Sequence, residues 1–219
     1  MSKSIKNSNL FTVTTPYLID LFNLEYCYEV VKNIGDYILK VIPTLQNFTK
    51  IADGVYVGKN VKIHGSAVIE PPVILGNNTV LRPSAYLRGN VITGENCVIG
   101  NSTEVKNSVL LNGVQLPHYN YVGDSVLGNF THLGAGAICS NLKLDGTNIC
   151  LKTGIEYDTK MRKLGAILGD GANVGAGTIL NPGTVLGKNT VSYPNLCIRG
   201  VYDSNLIIKA RDNITKKEW

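Results

Sequence analysis

The chain has 219 residues, 44% of them apolar and 23 of them Gly, with a net charge of +5. That is enough for one sizeable domain with a small addition. Phe and Trp are scarce at 4 and 1, so a core of small aliphatic side chains and a frequently turning backbone are expected. No dense Lys/Arg block occurs, so the mild positive charge suits phosphorylated small molecules better than a nucleic-acid surface. Five cysteines (Cys27, Cys97, Cys139, Cys150 and Cys197) are odd in number and widely spaced, and no CxxC appears. A disulfide framework or a zinc site is not expected. Cys97 and Cys197 fall where a small apolar residue is wanted and read as core thiols.

Residues 1–50 read as a short helical cap. Thr15-Pro16 resembles an N-cap followed by Pro at the first helical position. Helical apolar spacing then runs through Leu18, Phe22, Val30, Val31, Ile34, Ile38 and Ile42, with an interruption near Gly35. One or two helices are expected to pack on the first coil of the repeats that begin at residue 51 and to cover its open edge. The charges at Asp20, Glu25, Glu29, Lys32, Asp36 and Lys40 argue against a membrane span, and nothing resembles a signal peptide. The expected compartment is the cytoplasm.

From residue 51 the chain reads in sixes: IADGVY, VGKNVK, IHGSAV, IEPPVI, LGNNTV, LRPSAY, LRGNVI, TGENCV, IGNSTE, VKNSVL, LNGVQL. The first positions are Ile51, Val57, Ile63, Ile69, Leu75, Leu81, Leu87, Thr93, Ile99, Val105 and Leu111, and ten of these eleven are aliphatic. A period of six fits neither a helix nor a plain alternating strand. It fits a prism in which each six supplies one short strand and one corner, and three sixes close a coil. First-position aliphatics then stack between coils about 4.8 Å apart, and Gly and Asn take the positive-φ corners. Such coils are stable only when stacked. The predicted class is an all-β parallel β-helix over residues 51–200.

The period lapses at residues 117–126 and again at 139–167, a polar excursion expected to leave the prism as a loop. Loops extruded from a regular scaffold commonly carry function. The sixes resume from Leu168 to Val191, and residues 201–219 read as a polar tail.

Of three histidines, His64 reads as a solvated turn residue. His118 lies in the first lapse, beside Tyr119 and Tyr121 and close to Asp124. It is a candidate general base, because imidazole titrates near working pH, and equally a surface-loop residue on composition alone. Taken singly, Arg88 and Lys106 are unremarkable turn cations, Tyr121 could be packing, and Asn141 could fill a positive-φ corner.

The order of IGNSTEVKNSVL, PHYNYVGDSVLGN, HLGAGAICSN and RKLGAILGDGANVGAGTILNPG resembles the acetyltransferase domain of bifunctional glucosamine-1-phosphate N-acetyltransferase/N-acetylglucosamine-1-phosphate uridyltransferases. It also resembles the archaeal-type bifunctional sugar-1-phosphate nucleotidylyltransferase/acetyltransferases. The resemblance covers roughly residues 51–200 and implies a left-handed coil; the usual crossover rule would have given a right-handed one. It implies acetyl-CoA as co-substrate, no metal, a sugar-phosphate acceptor and a homotrimer.

Residue by residue, the resemblance implies that His118 is the catalytic base and that Asn141 lies near the reacting amine. Arg88 and Lys106 hold the sugar phosphate, Tyr121 contacts substrate, and His132 stands where the bacterial family tends to place Asn. Ala135 and Ala176 let the acyl-CoA arm lie along the coils, and Arg199 meets a CoA phosphate. The first fifty residues carry no Gly-rich phosphate loop, so synthesis of nucleotide sugars is not expected. Three alternatives stay open: a non-catalytic sugar-phosphate or CoA-binding scaffold, an O-acetyltransferase or amino-acid acetyltransferase, and a zinc hydratase of the same prism shape. The spacing of His64, His118 and His132 does not fit the last.

Overall fold

The computed structural model describes residues 4–210 and 213–216. From Thr49 the chain winds as a parallel β-helix whose strands stack, among the described residues, into three faces of nine, nine and seven strands. Val55–Val57 lies on the first face, Lys62–Ile63 on the second and Val68–Glu70 on the third; Val73–Leu75 then pairs in parallel with Val55–Val57. This is the expected architecture, consistent with a left-handed β-helix.

The six-residue period sends one aliphatic inward per face. Leu75, Leu81, Leu87, Ile99, Val105, Leu116, Val122 and Leu133 are all fully buried in one continuous core, each stabilising by about 1.5–3 kcal/mol relative to exposure. Thr93, the polar exception, is tolerated inside because its hydroxyl accepts the Gly76 N–H at 2.9 Å. Corners are held by asparagines at positive φ. Asn60, Asn78 and Asn96 stack one per coil, their amides bonded at 3.2 and 3.1 Å.

The first lapse is a shortened corner. Gly89 and Asn90 both take positive φ at the corner between the third and first faces, whereas Asn107 alone does so one coil later and Asp124 alone in the next. Val91 therefore pairs with Ser108 and Val109 with Val126, a step one residue shorter than Val73 to Val91. The slip turns Leu110 inward in place of the expected Leu111, which instead joins an outer apolar cluster. It also means that residues 117–126 stay in the solenoid, with His118 ending a regular second-face strand, Gln115–His118.

That outer cluster decides where the N-terminal residues go. Ile74, Ile92, Val109, Val126, Ile167, Val185 and Val201 form an outward row on the first face, every member buried. The helix Cys27–Val41 lies along this row, burying Val30, Val31, Ile34, Ile38 and Val41. It flanks the prism and does not cap the first coil, because the aliphatic surface that needs cover is on the side. The helix runs unbroken through Gly35, where a Cβ would stand 3.1 Å from the Asn90 side chain. Thr15 does not cap a helix: Pro16–Phe22 is a 3-10 turn, and the Thr15 hydroxyl donates to Asn112 Oδ1 at 2.8 Å. Asp170 ties the segment down. It accepts from Thr12 N at 2.8 Å and from Asn129 Nδ2 at 2.9 Å, and it pairs with Lys188 at 3.3 Å.

The excursion also folds back onto its own chain. It carries a hairpin of Cys150–Lys152 and Glu156–Asp158, and buries Ile149, Leu151 and Leu164 in the cluster that holds the long helix. The Tyr157 ring packs 5.4 Å from Tyr26. Residues 201–210, expected outside the prism, continue it: Val201–Tyr202 joins the first face and Leu206–Ala210 the second, with Ile208 buried. Cys197 is exposed, not a core thiol, because Ile198 takes the inward position of that two-residue strand; Cys27, Cys97 and Cys139 are the buried thiols, burial pushing each up to about 12.

Candidate active site

Three of the predicted residues share one corner. Between the second and third faces the backbone stacks coil on coil: Tyr119 N–H donates to Asn101 O at 2.9 Å, Gly136 N–H to His118 O at 3.0 Å, Gly177 N–H to Ala135 O at 2.8 Å, and Asn195 N–H to Ala176 O at 2.8 Å. His118, Ala135 and Ala176 are thus equivalent positions in successive coils, and all three are exposed. Gly136 and Gly177 sit beside the alanines at positive φ. The result is a smooth edge leading away from His118, with methyl groups and bare backbone as its surface.

Asn120, which no sequence pattern singles out, fixes this corner. It is buried. Its Oδ1 accepts the His118 N–H at 3.2 Å, and its amide donates to Gly134 O at 2.8 Å and Ala137 O at 3.2 Å. The turn after His118 is thereby tied to the turn that holds Ala135.

The third face carries the charges. Leu87 pairs with Val105, so Arg88 and Lys106, next in line, stack about 4.8 Å apart, a spacing that one phosphate can bridge. Each faces a carboxylate: Arg88 Nη1 lies 2.6 Å from Glu104 and Lys106 Nζ 3.3 Å from Asp124. Glu104 takes one of the five donors of a guanidinium, which leaves Arg88 able to meet an anion as well.

Asp124 is the hub at the opposite edge of this face. Asn107, Asp124 and Asn141 occupy the same corner in three successive coils, and Asp124 is 5% exposed. Its carboxylate accepts from Lys106, from Asn107 Nδ2 at 2.8 Å and from Asn141 Nδ2. Gly123 is required here: a Cβ would stand 2.5 Å from the Tyr121 hydroxyl and 2.9 Å from Asn141 Nδ2. Burial, reinforced by Asp124 and Glu104, raises the Tyr121 phenol above its ordinary value, so Tyr121 remains a donor at neutral pH.

The structure therefore gathers Arg88, Lys106, Tyr121 and Asn141 on one face, with His118 at its other edge. His132 stands apart on the second face, its Nδ1 3.2 Å from Asn173 Oδ1. Arg199 lies on the Asp124 side, at the C-terminal end of the row that contains Arg88 and Lys106, and so across the face from Ala135 and Ala176. Lys152, Lys160 and Arg162 of the excursion are engaged locally, with Glu156, Asp158 and Gly146 O. Glu104, Asn107 and Asp124 had a signal that a six-residue window does not show: Asn107 and Asp124 are 17 residues apart, one coil at this corner, and Lys106 and Asp124 are 18 apart. Among the described residues no group of three His, Cys, Asp or Glu side chains is placed to hold a metal ion, and no helix is long and apolar enough to cross a membrane.

Residues 70–193, more than half of the chain, match the family described as the GMPPB C-terminal domain. The chain belongs to that family. As a GMPPB C-terminal domain it has curated relatives among the bifunctional enzymes. It is 34% identical over 117 residues to the bifunctional protein GlmU of Methanococcus maripaludis, an alignment that takes 52% of this chain and 28% of GlmU. It is 38% identical over 73 residues to the bifunctional sugar-1-phosphate nucleotidylyltransferase/acetyltransferase of Sulfurisphaera tokodaii, covering 33% of this chain and 18% of that protein. The chain thus spans less than a third of the length of these relatives. Among solved structures, AntD, an N-acyltransferase from Bacillus cereus in complex with dTDP and 3-hydroxybutyryl-CoA, superposes with a TM-score of 0.46 at 18% identity, over 78% of this chain and 89% of AntD.

Proposed function

We propose that this GMPPB C-terminal domain is an acetyl-CoA-dependent acetyltransferase that N-acetylates a hexosamine-1-phosphate. The observation that carries the reading is the corner column. His118 stands directly below Ala135 and Ala176 in successive coils, with the stacked cations Arg88 and Lys106 on the adjoining face. The relatives named as sugar-1-phosphate nucleotidylyltransferase/acetyltransferases support it.

In this reading the acyl-CoA arm lies along Ala135 and Ala176, with Arg199 meeting a CoA phosphate. Arg88 and Lys106 hold the acceptor phosphate through charge-assisted bonds. Tyr121 contacts the acceptor, and His132, on the second face, contacts it from a neighbouring copy in the trimer proposed below. Asn141, its amide N–H committed to Asp124, offers its carbonyl to the acceptor from the edge of the face opposite His118. His118 takes a proton from the amine, which attacks the thioester carbon. The C–S bond breaks, and the leaving thiolate recovers the proton from His118. Backbone N–H groups of the corner turns stabilise the developing oxyanion, more strongly where water is excluded.

Replacing Lys106 with Ala is expected to raise the acceptor KM far more than it lowers kcat, because holding an unreactive phosphate is mostly uniform binding. Steady-state kinetics at saturating acetyl-CoA measure this; a constant KM with a collapsed rate would remove the phosphate role. Three copies are proposed to assemble through the second and third faces, since the helix and the excursion already cover the first. Light scattering should give the mass of a trimer, and a stable monomer at micromolar concentration would exclude it. The reaction itself is tested by acetyl-CoA turnover against amino sugars and their 1-phosphates. Transfer to a hydroxyl would favour an O-acetyltransferase, and binding of CoA and sugar phosphate without turnover would favour a scaffold.

A further inference from the structure

Tyr119 is the residue of the corner column that folding does not explain. It holds φ at +52°, a left-handed conformation that is unfavourable for a bulky side chain. The equivalent positions in other coils are Ser84, Ser102, Gly136, Gly177 and Asn195, small or amide residues suited to such a corner. Burial does not offset the strain, because Tyr119 is 64% exposed. The conformation persists because the backbone around it is over-determined: Tyr119 N–H is bonded to Asn101 O at 2.9 Å, His118 N–H to Asn120 Oδ1 at 3.2 Å and Asn120 N–H to Thr103 Oγ1 at 3.3 Å. An exposed aromatic kept in an unfavourable conformation, next to a candidate base, points to a role outside folding.

Its position narrows the role. On the later coils, the same corner is bare backbone at Gly136 and Gly177, the proposed track of the acyl-CoA arm, so the ring marks where that track ends. On the other side lies the third face with Arg88 and Lys106. An acceptor with its phosphate on those cations and its amine at His118 must cross the stretch of face that Tyr119 borders. We infer that Tyr119 is a specificity residue for the acceptor, stacking its ring on the apolar face of the pyranose; the inference rests on the acetyltransferase reading above. Aromatic rings give a large contact area with few rotatable bonds, which suits recognition of a ring with an apolar face and a polar rim.

The test uses the full chain, with glucosamine-1-phosphate and acetyl-CoA as the two substrates. Tyr119→Asn keeps a residue that accepts the left-handed corner and removes the ring. It is expected to raise the glucosamine-1-phosphate KM by about tenfold, to leave the acetyl-CoA KM unchanged, and to raise the melting temperature by about 2–4 °C. Tyr119→Phe keeps the ring and is expected to behave as the parent. An unchanged acceptor KM in Tyr119→Asn, an equal rise in both KM values, or a change in oligomeric mass would each overturn the inference while the acetyltransferase reading stands. A parent chain that transfers no acetyl group to any amino sugar overturns that reading, and the inference with it.

Discussion

Replacing His118 with Ala is expected to slow turnover by roughly 10²–10⁴, the usual worth of a positioned general base. An ammonium has no lone pair, so the acceptor must lose a proton before or during attack on the thioester. Of the predicted residues at this corner, His118 alone carries a titratable group; Ala135 and Ala176 are its neighbours in the column, and the acids Glu104 and Asp124 are engaged by Arg88 and Lys106. The ring is exposed while its backbone is held on both sides, by Asn120 and by Gly136. The variant should therefore fold with little change in melting temperature, since no inward aliphatic is lost. The kinetic constants separate a base from a binding residue: losing a base lowers kcat and kcat/KM together, whereas losing a binding contact mainly raises the acceptor KM. Full activity of the Ala variant with a confirmed acceptor would remove His118 from the chemistry.

Asp124→Asn is expected to have the largest effect on stability. Asn tolerates the left-handed φ of +49° at this corner, so the substitution isolates the charge from the backbone. The native carboxylate accepts from Lys106, Asn107 and Asn141 at once. A neutral amide has one acceptor oxygen, and its NH2 would confront donors. A half-buried ammonium loses its partner and at least one amide loses its acceptor, which should destabilise by about 2–4 kcal/mol, the upper end discounted because Lys106 keeps some contact with water. For a chain of this size that is a fall of about 5–15 °C in melting temperature, read by calorimetry. Adding Lys106→Ala should cost less than the sum of the two changes, because the two residues share the interaction. A melting temperature within a degree or two of the parent would mean that the network contributes nothing to folding.

The Asp124 network is half legible from the residues alone. The segments containing Lys106, Tyr121, Asp124 and Asn141 stand out by their order and spacing, and three of those four residues are site candidates on that ground. That they meet around Asp124 follows from the length of a coil: side chains 16 to 18 residues apart on one face touch across a single hydrogen-bonded step. Asn120 escapes notice because nothing in PHYNYVGD distinguishes an asparagine at a solvated turn from one buried between two coils, and Tyr119 because its φ is invisible in the letters.

The period of six, its aliphatic first positions and its Gly and Asn corners determined by themselves that this chain builds a stacked prism, because a flat short strand with a positive-φ corner closes only that way. They also determined the polar turns and most of the length of the core, short of the last coil that buries Ile208. Tertiary structure decided the rest. One residue lost at the Asn107 corner set whether Leu110 or Leu111 points inward, since a strand reverses its faces with every residue. The aliphatic row from Ile74 to Val201, buried on both sides of its strands, drew the long helix and the excursion onto the flank and away from the open first coil. Coil-to-coil stacking brought His118 beneath Ala135 and Ala176, and Lys106 against Asp124. Such neighbours lie a whole coil apart in sequence, and their alignment depends on the summed lengths of three corners, which no local pattern specifies.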